Sequence, residues 1–378
     1  MPNRITRRSR LFASSFSLPI LTQRRRITFG FWARSTKETH IADAEQTGRH
    51  ADRDGQIRVL DLDAGQGGAP LSGVLRTIAL NDETETYQSL SYVWGAPFSG
   101  PGLPPVINLG SGVLPIFPNL NKALRAIRSP TGTISVWIDA VCINQQDLEE
   151  RVQQVTYMAK VYSKASTVRV WLGEDSEASV LGMEMLSFLA GDQHFDNSPW
   201  TRTEPELVAQ ALQDVLGRAY FTRVWVVQEA ALGRSVQMQV GSLSVTWSDG
   251  QATRLFLARI KLAEISPSWE GPLRDIDFRP LTELLEQSLS YTNKKRGRVE
   301  PPSLLDIVHS MRHRNATDPR DKIYAMMGLA LPEAVAGFIP DYSESWQDTY
   351  ERFYSLVEGQ ILADPGATLD DMRDGNQA

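Results

Sequence analysis

Ile134-Ser-Val-Trp-Ile-Asp-Ala-Val-Cys-Ile143 is a β-branched, apolar run interrupted by Asp139, the pattern of a strand covered on both faces. From Leu148 the positions Val152, Val155, Ala159 and Tyr162 keep helical spacing, and Glu149 and Glu150 suit the positive end of a helix dipole. Val168-Arg-Val-Trp-Leu172 is a second buried-strand pattern, stopped by Gly173. Strand, helix and strand joined by short connections predict a mostly parallel sheet with helices on its faces.

The same alternation extends outward from this unit. Upstream, Leu90-Ser-Tyr-Val-Trp94 reads as a strand ending at Gly95, and a Gly/Pro-rich loop runs from Pro97 to Pro105. Leu120, Leu124 and Ile127 share one face of a helix over 119–128, with Asn119 as its expected N-cap. Ile57 to Leu60 and Leu75 to Leu80 read as strands separated by a Gly-rich turn at Gly65 to Pro70. That turn is no phosphate loop, because no Gly-Lys-Ser/Thr follows it and no helix opens there. Downstream, Tyr220 to Leu232 reads as loop into helix and Val236 to Val240 as a further strand. Beyond residue 250 the pattern is mainly helical, near 281–290, 303–313, 319–330 and 346–362. The fold class is therefore α/β: a mostly parallel sheet with helices on both faces, plus a helical C-terminal half. The expected division is a basic, disordered arm over 1–56 and an α/β core over 57–250. A helical C-terminal part of the same unit follows over 251–362, then a disordered tail over 363–378.

The bulk composition narrows the function classes. The chain has 378 residues, 42% of them hydrophobic, and a net charge of −6, which gives no reason to expect nucleic-acid binding. Its single cysteine, Cys142, cannot form an internal disulfide and suits a reducing compartment. No apolar run approaches the roughly 20 residues needed to span a bilayer, so a cytoplasmic protein is expected. No repeat of 20–50 residues points to a solenoid or propeller. Eight arginines between Arg4 and Arg34 precede the first acidic residue, Glu38. This start reads either as a mitochondrial transit peptide or as a solvated basic arm.

Several groups invite a chemical reading beside a plainer one. Asp139 interrupts an apolar segment, where a carboxylate is costly unless paired; Arg151 or a backbone N–H can satisfy it, or it can contact a ligand. It makes a poor phosphate acceptor, since Ser91 to Gly95 offers no acidic partner. His309 and His313 lie four apart but lack the metalloprotease glutamate, so no metal is expected. Cys142 reads as a small core residue inside a strand. Trp94, Trp137, Trp171 and Trp225 read mainly as core aromatics, with Trp94 the best exception because it follows a strand into a Gly/Pro loop. Asp318-Pro-Arg-Asp321 reads as a helix start, leaving open whether Arg320 faces a crevice, and Lys294-Lys-Arg-Gly-Arg298 as an exposed basic loop or a nuclear signal.

Four segments resemble heterokaryon incompatibility (HET) domains of filamentous fungi. They are Tyr87-Gln-Ser-Leu-Ser-Tyr-Val-Trp-Gly95 and Val136-Trp-Ile-Asp-Ala-Val-Cys-Ile-Asn-Gln145, then a stretch from Glu150-Arg151 to Val170-Trp-Leu-Gly173, and Arg223-Val-Trp-Val-Val-Gln-Glu229. Ala316-Thr-Asp-Pro-Arg-Asp-Lys-Ile-Tyr324 with Gly328-Leu329 supports them, so the resemblance runs from about Ile57 to about Leu331. It implies an intracellular module that triggers programmed cell death when genetically different fungal cells fuse. Such proteins often continue into a long C-terminal region, and whether a partner-sensing module belongs with this domain stays open in the sequence.

HET domains are in turn similar to TIR domains, flavodoxin-like modules of innate immune signalling, several of which cleave NAD. That second resemblance implies a TIR-like, flavodoxin-like sheet and places the catalytic carboxylate at Glu229, four residues after Trp225. Ligands of open α/β sheets bind beyond the carboxyl ends of the strands, where Trp94 and Gly95, Asn144 and Gln145, and Gly173 to Asp175 fall. Trp94, Gly95, Asp139, Asn144 and Trp225 are the candidate substrate contacts, with NAD as substrate rather than cofactor. Two classes of function stand: an NAD glycohydrolase, and a non-catalytic module that assembles with itself or with a partner signalling protein.

Overall fold

A computed structural model describes residues 55–110, 112–248, 250–295 and 302–363. The basic arm, the C-terminal tail and the side chains of the basic run at 294–298 lie outside the described residues. Nine strands form one sheet: β1 (Gln56–Leu62), β2 (Leu71–Ala79), β3 (Gln88–Tyr92), β4 (Val106–Leu109), β5 (Gly112–Pro115), β6 (Ile134–Trp137), β7 (Val168–Trp171), β8 (Val236–Val240) and β9 (Leu243–Trp247). Around them lie α1 (Pro118–Ile127), α2 (Asp139–Cys142), α3 (Leu148–Lys164), α4 (Glu177–Ala190), α5 (Pro205–Leu216) and α6 (Trp225–Leu232). The remaining helices are α7 (Gly250–Glu264), α8 (Arg279–Lys295), α9 (Leu304–Ser310), α10 (Asp321–Tyr324) and α11 (Trp346–Ala363).

The strand order is β5-β4-β2-β1-β6-β3-β7-β8-β9. β6, β3, β7 and β8 are mutually parallel, as the alternation of strands and helices predicts. The flanks differ from expectation. β1 pairs antiparallel with both β2 and β6, β4 with β5, and β8 with β9, so the sheet is mixed rather than mostly parallel. For the three pairs that are consecutive in the chain, β1/β2, β4/β5 and β8/β9, the cause is local: hairpin-length connections at Asp63 to Pro70, at Gly110 and at Gly241 leave no room for a crossover helix. Within the parallel core, the chain starts at β3, steps to β6 on one side, then crosses to β7 and β8 on the other. β3 is thus the strand where the winding reverses, the place at which open α/β sheets bind ligands.

Both faces of this centre are covered. Ser89, Leu90, Ser91 and Tyr92 are all buried, although successive side chains point to opposite faces. Ser91 meets Glu229 of α6. Trp171, out of phase with Ser91 in the register, donates its indole N–H to Asn119 of α1 at 3.1 Å. Asn119 is not the N-cap; Phe117 occupies that place, without a side-chain bond. Instead Asn119 links β7 to the end of β3 by donating to the Val93 carbonyl at 2.6 Å.

The segment 134–143 is the second correction. The strand stops at Trp137, and Asp139 opens the one-turn helix α2, whose Val141 and Cys142 N–H groups bond the Ile138 carbonyl at 3.0 and 2.7 Å. An apolar run does not distinguish a buried strand from a buried helical turn. Cys142 is accordingly a buried helical residue, not a strand residue, and burial pushes its thiol up to about 12.

The chain beyond β9 packs directly on the segment that leads into α6. Arg314, 1% exposed, donates to the Phe221 carbonyl at 2.7 Å, to the Pro280 carbonyl at 3.2 Å and to Glu283 at 2.7 Å. Asn315 forms a parallel bridge with Arg223. Gly328 donates its N–H to Gln228 at 3.1 Å, and a Cβ at Gly328 would sit 2.5 Å from Ala159 and 2.4 Å from Gln228. A side chain there would push this segment off α3 and α6.

Candidate functional site

Two acidic side chains converge at the carboxyl end of the reversal strand β3. Glu229 sits on the second turn of α6, 5% exposed. Its Oε2 accepts a short hydrogen bond from the Ser91 hydroxyl, and the Ser91 oxygen lies 2.9 Å from the Tyr220 hydroxyl. With Glu229 ionised, Ser91 must donate to it and Tyr220 must donate to Ser91. The result is a buried line of donors ending on one carboxylate. Burial pushes the Glu229 carboxyl up to about 7, opposed by the nearby Arg223 charge and the Ser91 bond and reinforced by the charge of Asp139. An exposed helix-start carboxylate, the plainer reading of Glu229, would not be shifted in this direction.

Asp139 is the second acid, placed by the turn from β6 into α2. Its Oδ2 accepts from the Trp94 indole at 2.7 Å and its Oδ1 from the Ala140 N–H at 2.7 Å. Burial raises its carboxyl above the usual range, opposed by the Trp94 bond, the Arg223 charge, the Ala140 N–H and the Tyr92 hydroxyl. A backbone N–H therefore supplies part of its satisfaction. Arg151 places its guanidinium over the Tyr342 ring, 4.5 Å from the centroid. Between the two acids stands Arg223, which also donates to the Tyr92 carbonyl at the end of β3. One cation thus offsets two carboxylates that repel each other.

Residues 87–229, from the residue before β3 to Glu229 itself, match the family model described as heterokaryon incompatibility protein (HET). Residues 87–229 are a HET domain. The chain is similar to heterokaryon incompatibility protein 6, OR allele, of Neurospora crassa, with 26% identity over 308 residues. The alignment covers 69% of this chain and 45% of that protein, so the chain spans about half the length of the relative it matches. No solved structure matches the chain.

The geometry of the HET domain sorts the residues singled out from sequence. Trp94, Asp139 and Glu229 gather at one strand end, with Trp94 held edge-on against Phe117 at 6.1 Å. Gly95 follows with φ +77, and a Cβ there would stand 3.3 Å from Asn119, so the turn after β3 falls on a residue that tolerates the left-handed region. Asn144 folds back on its own loop, accepting from the Gln146 N–H at 3.1 Å while its N–H bonds Glu150 at 2.9 Å. Its neighbour Gln145 reaches the site instead, donating to the Asp139 carbonyl at 2.9 Å. Trp225 turns toward the C-terminal part, where it and Tyr342 hydrogen-bond Asp321, whose carboxyl burial pushes up to about 6. Arg320 is committed elsewhere, to Asp318 at 2.6 and 2.9 Å and to the Tyr342 carbonyl at 3.0 Å.

Ser91, Tyr220 and Arg223 complete the cluster and were not singled out as site residues. Ser91 and Arg223 fall inside the quoted motifs, but nothing in their spacing shows that they meet across 138 and 131 residues of chain. Trp137 and Trp171 are core residues, 0% and 2% exposed. His313 pairs with Glu283 at 3.2 Å. Among the described residues no group of three or more His, Cys, Asp or Glu side chains could hold a metal ion, and no helix is long and apolar enough to cross a membrane.

Proposed function

We propose that this chain acts in fungal heterokaryon incompatibility as a trigger of cell death, and that its HET domain does so by TIR-like hydrolysis of NAD at Glu229. The observation that carries the reading is the buried pair Glu229 and Asp139 at the carboxyl end of β3, held by Ser91, Trp94 and Arg223. Two carboxylates are costly to bury side by side, and such arrangements concentrate at working sites. Support for the incompatibility role comes from the family match and from the name of the Neurospora relative.

In NAD hydrolysis the bond between the ribose C1′ and the nicotinamide nitrogen breaks, and its electron pair leaves with nicotinamide. Positive charge develops on the ribose, and a carboxylate beside it lowers the barrier. Water then adds to C1′ and gives up a proton, leaving ADP-ribose. Glu229, with its carboxyl near 7, is poised both to stabilise the cation and to take that proton near neutral pH. Trp94 offers an aromatic edge to the base, and its bond to Asp139 fixes its orientation.

A second reading is a non-catalytic module that assembles with itself or with a signalling partner. The 5% exposure of Glu229 favours it, because a carboxylate so enclosed reaches a substrate only if the surrounding loops part. The deciding measurement is nicotinamide release from NAD by concentrated or artificially dimerised protein. Release by wild type with loss in Glu229→Gln supports the enzyme. Equal release by both clears Glu229 of catalysis, and no release by either, even when clustered, leaves the assembly module.

A further inference from the structure

The helix α11 carries apolar side chains on its outer surface as well as on its inner one. Thr349 and Phe353 anchor the inner side, at 0% and 7% exposure. Thr349 is within 3.3 Å of the Tyr324 hydroxyl and donates to Glu344 at 2.7 Å, while Phe353 packs on Phe338. Trp346, Tyr350, Tyr354 and Leu362 stand out at 48%, 36%, 65% and 79% exposure. The first three are four residues apart, so they form one ridge along the helix. Trp346 and Tyr350 pack edge to face at 5.9 Å, and the Tyr350 hydroxyl is tied to the Pro319 carbonyl at 3.2 Å. From Trp346 to Tyr354 the ridge is about 12 Å long at 1.5 Å per residue, and Leu362 stands beyond the exposed Glu358. Single exposed apolar residues are ordinary, but a contiguous aromatic ridge on a firmly anchored helix marks an interaction surface.

The charges beside the ridge select its occupant. Glu351 and Glu358 are exposed on the solvent side of Tyr350 and Tyr354, and Asp348 is exposed one turn earlier. Arg352, the one basic residue of this helix, is already bonded to Glu344 and stacked on Phe338. A second copy of α11 is a poor fit. Laid parallel, Glu351 faces Glu351 and Glu358 faces Glu358; laid antiparallel about Tyr354, Glu351 comes beside Glu358. Either orientation sets like charges against each other across an apolar seam, which selects against self-pairing.

We propose that the outer face of α11 is a docking surface for a basic amphipathic helix of a partner protein, with apolar anchors against Trp346, Tyr350 and Tyr354 and lysine or arginine beside Glu351 and Glu358. The binding mode is helix against helix, with anchors one turn apart. It is independent of any chemistry at Glu229.

The test uses the full chain and two synthetic helical peptides of equal length. Both carry leucines one turn apart; one is flanked by lysine and arginine, the other by glutamate. Hydroxyl-radical footprinting reads the reactivity of Trp346 and Tyr354, and fluorescence anisotropy reads affinity. The basic peptide is expected to protect both residues, and to bind several-fold more weakly to the double variant Glu351→Lys, Glu358→Lys. That variant should in turn gain binding of the acidic peptide, a reversal that non-specific attraction to a chain of net charge −6 would not produce. Unchanged melting of the variant shows that its fold is kept. The proposal is overturned if the basic peptide leaves Trp346 and Tyr354 reactive, or if charge reversal does not exchange the preference. It is equally overturned if the two residues are already protected in the free chain, or if the chain dimerises through this face in a manner abolished by Tyr354→Ser.

Discussion

Replacing Glu229 by glutamine should make the HET domain less stable in acid and more stable in mild base. The folded-state carboxyl lies near 7 against a usual value of 4.5, the reverse of the shift found in a salt-bridged carboxylate. Between those values the unfolded chain has released the proton and the folded chain still holds it. Stability contributed by this group is therefore full below about pH 4.5, falls by up to about 1.4 kcal/mol per pH unit as pH rises, and levels off above about 7. Across that window the loss amounts to about 3 kcal/mol. Glutamine carries no charge to bury and escapes this loss. Its amide bonds Ser91 less well than a carboxyl does, which costs about 1 kcal/mol at every pH. The net expectation is a variant about 1 kcal/mol weaker at pH 4.5 and about 2 kcal/mol stronger at pH 8. At roughly 2 °C per kcal/mol for a chain of this size, the two melting curves cross and separate by roughly 4 °C at pH 8. Melting temperatures of both proteins from pH 4.5 to 8.5 in one ionic strength provide the assay. Parallel curves, or a variant that melts lower throughout, would refute the reasoning, because Glu229 would then be ionised at little cost in the folded protein.

Two further outcomes follow from the same geometry. Asp139→Ala leaves the Trp94 indole and the Ala140 N–H without their acceptor and should lower stability by about 1–3 kcal/mol in denaturant titrations; an unchanged midpoint with lost nicotinamide release would make Asp139 a ligand contact instead. Arg314→Leu removes the bond to Phe221 in the segment before α6 and two bonds to Pro280 and Glu283 of α8. It should cost about 2–4 kcal/mol, less than a fully buried pair because Glu283 keeps some solvent, and hydrogen exchange should quicken at Tyr220 to Arg223.

Three strands of the parallel core were legible because each is short and closed by a stop: Gly95 after β3, Gly173 after β7, Gly241 after β8; β6 has no such stop, and its pattern ran on to Ile143. On the flanks β1 and β2 were legible as strands, whereas β4, β5 and β9 were not. β4 and β5 have four residues each, too few for alternation to stand out. The helix α4, Glu-Ala-Ser-Val-Leu-Gly-Met-Glu-Met-Leu-Ser-Phe-Leu-Ala, buries residues around most of its circumference and so lacks the single apolar stripe by which a helix is recognised. Asp139 misled for a related reason, since the residues on either side of it are apolar whether they belong to a strand or to a turn of helix.

For the site, sequence could name Glu229 by its spacing from Trp225 but could not show what surrounds it. The deciding residue is Ser91, 0% exposed on the face of β3 that meets α6. A larger side chain there would hold α6 away from the sheet, and an alanine would leave the carboxylate facing a wall with no donor. Serine is small enough to admit the helix and polar enough to meet the acid. Tyr220, brought in by a turn that Arg314 pins from a distance of 93 residues, completes the donor line. That pin makes the C-terminal half part of the site, although the family match stops at Glu229. A piece cut to residues 87–229 would lose β1, β2, β8 and the Arg314 anchor together, exposing both edges of the parallel core and freeing the turn that carries Tyr220 and Arg223.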